Sequence, residues 1–194
     1  YEIPDQKTRR FYLAGSAEKV NHLTEAPDTQ QGAVHYTYDP ENPVATYGAE
    51  SCLHSKELRG SLRQQKAGFR DDVRSFISEP LAAPFTTMGA LSVVLNVASD
   101  AEDTAFAVKV IEEMPDGTAY HVRSSITTLG YRNHRPKRIT YQPGEKVSIE
   151  IKMWDLAWKF QQGSRIRVDV TSSDFPEYAV HSNYPGCWAE VRQS

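Results

Sequence analysis

Along most of the chain apolar and polar residues alternate with a period of two. From Glu145 to Met153, Val147, Ile149, Ile151 and Met153 fall on one side, and Lys146, Ser148, Glu150 and Lys152 on the other. That is the pattern of a strand with one face in a core. Arg165 to Thr171 repeats it, with Ile166, Val168 and Val170 inward and Arg165, Arg167, Asp169 and Thr171 outward. Ala90–Ala98 and Ala105–Ile111 read as further strands, and Phe11–Leu13, Val34–Tyr38, Arg74–Ser78 and Tyr120–Thr128 as weaker ones. Turn chemistry separates them at Pro115-Asp116-Gly117, Pro143-Gly144 and Gln161-Gln162-Gly163. No window of helical length carries a convincing apolar stripe. Ser55–Ala67, interrupted by Gly60, reads as a loop with one helical turn, and Trp154–Phe160 as a short helix or an irregular crossover. About eight strands without alternating helices predict an all-β fold, an antiparallel β-sandwich of jelly-roll type.

Composition narrows this picture. The 194 residues fit one domain, and no linker or repeat divides them. The net charge of −3 argues against a nucleic-acid partner bound through a basic face. The longest apolar stretch, Ala90–Ala98, is broken by Ser92 and Asn96, well short of the roughly 20 residues of a membrane helix. Cys52 and Cys187 form no CxxC or CxxH, so no zinc site or other cofactor is expected. Two free thiols in a reducing cytoplasm is the preferred reading of the pair, although their spacing leaves pairing open.

Several side chains invite chemistry and are read more plainly. Asp100 and Asp103, even with Glu102, offer too few oxygens for calcium, and the two aspartates are expected to cap turns. Arg165 and Arg167, with Asp169 and Asp174 nearby, suggest a cross-strand ion-pair ladder. The basic run Tyr131–Arg138 is expected to be a solvated hairpin loop. His181, Asp174 and the many serines are not taken as a catalytic triad, because geometry rather than presence defines one. Trp154, Trp158 and Trp188 are expected to fill core or interface rather than to stack sugars.

A set of phrases carries a resemblance. Tyr38-Asp39-Pro40-Glu41-Asn42-Pro43-Val44-Ala45-Thr46-Tyr47-Gly48 resembles the "YDP-x-x-PV-x-T-x-G" stretch of the X-Pro dipeptidyl-peptidase C-terminal domain family. That domain also closes cocaine-esterase-like (CocE/NonD) and α-amino-acid ester hydrolases. Arg70-Asp71-Asp72-Val73 and Ser78-Glu79-Pro80-Leu81 are similar to its "R-x-DV…SEPL". Ala98–Ala101, Asp103–Phe106, Pro115–Gly117, Gly130–Arg132, Phe160 with Gly163–Arg167, and Ser172–Pro176 follow in the family's order. Ala49 stands where the family usually has a second glycine, and Ser164 where it has a histidine. The chain opens at Tyr1 rather than Met, so a piece of a longer protein is expected, and it stops at Ser194 without the family's last strand, which is expected to be cut off, left out or replaced.

The resemblance implies a galactose-binding-like jelly roll that follows an α/β-hydrolase domain and a helical cap. The family's chemistry is serine acyl transfer, with its triad in the preceding catalytic domain. This sequence carries no G-x-S-x-G elbow, H-E-x-x-H or P-loop. The chain is therefore expected to be inactive alone, with the α/β-hydrolase domain of the same polypeptide as partner and a homo-oligomer as a further one. The segment Tyr47, Gly48, Ala49, Glu50, Ser51, Cys52 and Leu53 is the expected wall of the substrate cleft, a simple connecting loop being the alternative. A free-standing carbohydrate- or ligand-binding module is the competing reading of the whole domain.

Overall fold

In a computed structural model, residues 7–15, 19–27, 32–50 and 55–186 are described. Ten strands follow one another: β1 (Tyr12–Ala14), β2 (Val20–Thr24), β3 (Arg74–Ser78), β4 (Phe85–Gly89), β5 (Ser92–Val97), β6 (Ala105–Glu113), β7 (Ala119–Thr128), β8 (Val147–Lys152), β9 (Leu156–Phe160) and β10 (Arg165–Thr171). The helical elements among the described residues are two short 3₁₀ turns, Lys56–Leu58 and Arg132–His134. The first is the single turn expected within Ser55–Ala67.

Six strands form one sheet in the order β1-β2-β3-β10-β6-β7, and β4 with β9 and β5 with β8 form two further pairs. Every pairing is antiparallel except β2 with β3, which is parallel. The long connection from β2 to β3 makes that possible, since parallel neighbours need a crossover rather than a tight turn. The inward residues of both layers meet in one core. Phe76, Val108, Val110, Ile166, Val168 and Val170 come from the large sheet; Leu95, Ile149, Ile151, Met153 and Phe160 come from the second layer. This is a β-sandwich, with the alternation of β8 and β10 setting which side chains point into it.

Two expectations are corrected. Leu156–Phe160 is a strand rather than a helix or crossover, because Leu156, Trp158 and Phe160 recur at period two and the strand pairs with β4. Phe160 stacks on Phe85 there with ring centroids 5.0 Å apart. Val34–Tyr38 is not a strand. Its groups bond irregularly instead: Tyr36 Oη lies 3.0 Å from Ser172 Oγ, Tyr38 Oη donates to the carbonyl of His181, and Arg74 donates to the carbonyl of His35. β2 and β4 had no expectation. In β2 the inward residues are Asn21 and Leu23 while Val20 is exposed, so the alternation is chemically inverted at its start.

The outer face of the large sheet is covered. Residues between β2 and β3 return over it and bond to the start of β7: Gln64 donates to the carbonyl of Ala119, and His121 to that of Leu62. β10 is consequently buried on both faces from Ile166 to Thr171, and its outward side chains are not in water as the alternation suggested.

Candidate functional site

The expected wall segment lies in this cover. Val44, Thr46, Gly48 and Ala49 are buried, whereas Ala45, Tyr47 and Glu50 are exposed at residue level. Ser51, Cys52 and Leu53 lie outside the described residues, as do Cys187 and Trp188. Backbone bonds fix the segment: Phe175 donates to the carbonyl of Val44 at 2.8 Å and Thr46 to that of Phe175 at 2.7 Å. Ala49 donates to Leu58 at 2.6 Å and accepts from Gly60 at 2.8 Å. Ser173 Oγ accepts the amide of Val44 at 2.9 Å. Gly48 has φ +83°, and a Cβ there would stand 2.7 Å from both the Gly60 oxygen and the His121 Cβ. Only glycine fits that approach and that conformation. Ala49, at 2% exposure, packs without the second glycine of the family pattern.

Beneath the cover lies a layer of buried polar side chains. Arg167 is 1% exposed. Its Nε donates to Asp169 Oδ1 at 3.0 Å and its Nη2 to Asp169 Oδ2 at 2.8 Å and to the carbonyl of Gln65 at 2.9 Å. Ser75 Oγ donates to the same carboxylate at 2.7 Å. Lys109 Nζ meets Asp174 Oδ1 at 3.0 Å. Glu50 reaches back to β7, accepting the Ser124 amide at 2.9 Å and pairing with Arg123 at 3.0 Å. The expected cross-strand ladder is thus mainly an in-strand pair, Arg167 with Asp169, with Glu113 of β6 at 3.7 Å. Buried charges persist only when partnered in this manner.

His121 sits under Gly48, 2% exposed, and its Nε2 has no partner among the described residues. Burial, reinforced by Lys109 and Arg123, pushes its pKa down to about 3, so the ring is neutral. Burial likewise raises the Tyr178 hydroxyl, which donates toward the Ser124 carbonyl, to about 12.

The remaining candidates resolve into structural roles. Asp103 is 3% exposed and joins two loops: Oδ1 accepts the amides of Thr104 and Gly130, and Oδ2 pairs with Arg138 at 3.3 Å. Asp100 does not join it in a site, and among the described residues no group of three His, Cys, Asp or Glu is placed to hold a metal. The Tyr131–Arg138 run is exposed at most positions, but Arg132 donates to the carbonyls of Leu129 and Thr140 and Arg138 to Asp103. His181 faces Asp103 at 3.9 Å rather than Asp174, and its Nδ1 accepts the amide of Asn183. Trp154 is 81% exposed, contrary to the expected filling role, while Trp158 donates to Glu112. Glu112, buried at 3%, also accepts from Ser164 Oγ and from the Gln161 amide, where the family pattern has histidine at position 164. The sequence reading passed over Glu112, Lys109 and His121. A signal existed for Lys109: it interrupts the otherwise apolar Ala105–Ile111, and a strand apolar on both faces is covered on both.

Fold and site together define a β-sandwich domain whose buried polar groups tie layers to one another, in a sequence without a nucleophile elbow. The model of the X-Pro dipeptidyl-peptidase C-terminal non-catalytic domain matches residues 1–186, and the chain belongs to that family. It is 32% identical over 191 residues to cocaine esterase of Rhodococcus sp. (strain MB1 Bresler), a match covering 96% of this chain and 33% of that protein. Two solved structures share the fold. An α-amino acid ester hydrolase superposes with TM-score 0.78 at 23% identity, over 92% of this chain and 31% of its own. An aminopeptidase from the marine sediment archaeon Thaumarchaeota archaeon superposes with TM-score 0.75 at 22% identity, over 90% and 31%. The chain therefore spans about a third of the length of the relatives it matches.

Proposed function

We propose that this domain is the accessory sandwich of a serine esterase, acylase or X-Pro peptidase and packs on the α/β-hydrolase domain of the same polypeptide. The single observation that carries the reading is the match to cocaine esterase, which takes in nearly all of this chain but a third of that protein. The absence of a nucleophile elbow fits a chain that contributes shape rather than acyl chemistry.

In this reading the Tyr47–Leu53 segment stands at one side of the substrate cleft. The pinning of Val44–Glu50 supports it, because a wall orients substrate and excludes water only when it is rigid. Cofactors are not required by serine acyl transfer. The reading is tested on endogenous protein, by its mass and its labelling with a fluorophosphonate serine probe. A labelled polypeptide roughly three times this length is expected, with the 194-residue chain unlabelled. A native band of this chain's own size, or labelling of the chain itself, would overturn the reading.

A further inference from the structure

A continuous band crosses the cover of the large sheet. Phe175 is joined to Val44 and Thr46 through backbone bonds, Thr46 leads to Tyr47, and the carbonyl of Tyr47 accepts from Gln64. Gln64 in turn donates to Ala119, and Arg63 bridges to Tyr120. Phe175 is 47% exposed and Tyr47 and Tyr120 are each 38% exposed, so three aromatic residues stand along one hydrogen-bonded strip, joined at Tyr47 by the Gln64 side chain. Met88, Val94 and Trp154 belong to the second layer, and Thr86, Lys159, Asn96 and Lys152 are exposed among them.

Below the band a cavity of about 20 Å³ opens between Ala45, Tyr47 and Gln64 above and Arg167, Thr171 and Asp174 below. Each of the last three is at least nine-tenths buried, and Thr171 Oγ1 and Asp174 Oδ2 have no hydrogen-bond partner among the described residues. Native interiors rarely leave such groups unpaired, and a space of this size holds about one water. Two cations, Lys109 and Arg167, and two anions, Asp169 and Asp174, border the space. A neutral group that both donates and accepts, such as a hydroxyl, suits that balance better than an ion.

We propose that this band, with the polar cavity under Tyr47, is the surface that receives the α/β-hydrolase part of the same polypeptide. The inference rests on the accessory-domain reading above. The occupant is set by the two-thirds of the relatives' length that this chain does not span. Tyr47 stands over the small polar-floored recess, Tyr120 and Phe175 lie along the same band, and exposed aromatics of this kind are enriched at interface centres.

The test is hydroxyl-radical footprinting, read by residue, on the 194-residue chain and on the longer polypeptide that carries it. Tyr47, Tyr120 and Phe175 are expected to oxidise about tenfold more slowly in the longer polypeptide, as exposures of 38–47% fall to those of an interior. Trp154 and Tyr131 are expected to oxidise equally in both. Protection of Met88, Val94 and Trp154 instead would overturn this proposal while sparing the accessory-domain reading. Equal rates at every aromatic would overturn both. In the longer polypeptide, Tyr47→Asp with Phe175→Asp is expected to return Tyr120 to its rate in the isolated chain, whereas Val94→Asp is not. Continued protection of Tyr120 in the double variant would count against the band.

Discussion

The two outer faces of the sandwich are built from the same alternating code and have opposite fates. On the second layer, Thr86, Met88, Ser92, Val94, Asn96, Ser148, Lys152, Ala157 and Lys159 are exposed. On the large sheet, Arg167, Asp169, Ser75 and His121 are buried beneath residues that precede β3. A polar residue in an outward register therefore signals water only where nothing returns over the sheet. Where something does, the same residue must find a partner or remain neutral. Arg167 and Asp169 take the first course and His121 the second.

The largest effect should come from breaking a partnership on the covered face. Asp169→Ala leaves Arg167 buried without its carboxylate and is expected to cost about 3–5 kcal/mol in a urea titration. A loss below about 1 kcal/mol would mean that the cover opens readily to water.

Gly48→Ala is next. It places a methyl 2.7 Å from backbone and from His121 at a positive φ, with an expected loss of about 2–3 kcal/mol. Thermal denaturation checks it, and a near-neutral result would show that the 44–50 segment shifts without cost.

Acid sharpens the contrast through His121. Its folded pKa, about 3, lies below the unfolded value near 6.5, so the unfolded state takes up the proton first as pH falls. The contribution is fully present above 6.5 and is lost progressively toward 3, by about 1.5–2 kcal/mol once pH 5 is reached. Denaturation midpoints measured from pH 7 to 5 should fall in the parent chain and fall less in His121→Gln. Parallel curves would place the acid sensitivity elsewhere. Smallest of all, Val94→Ser on the bare face should stay within about 0.5 kcal/mol of the parent by the same titration.

How much of this was legible depended on whether a residue's neighbours in sequence were also its neighbours in space. Val147, Ile149 and Ile151 announced β8 because a pleated strand needs nothing beyond its own alternation to sort its faces. β9 did not announce itself. Trp154 and Asp155 blurred its start, and its partner β4 lies some seventy residues earlier. Val34–Tyr38 alternated well enough to suggest a strand, yet its tyrosines bond to Ser172 and His181, groups that only folding brings near. At the site, glycine at 48 was visible within a motif, but the reason for it, the approach of His121 and Gly60, was not.

The chain by itself determined the all-β character, most strand positions and, through ordered motifs, the family. These rest on local periodicity and turn chemistry, which act within a few residues. Tertiary structure alone decided that the outward side of β10 would be dry, that Arg167 would reach the carbonyl of Gln65, and that His121 would lose its charge. Desolvation is a property of what covers a group, and the cover of the large sheet comes from a distant part of the chain.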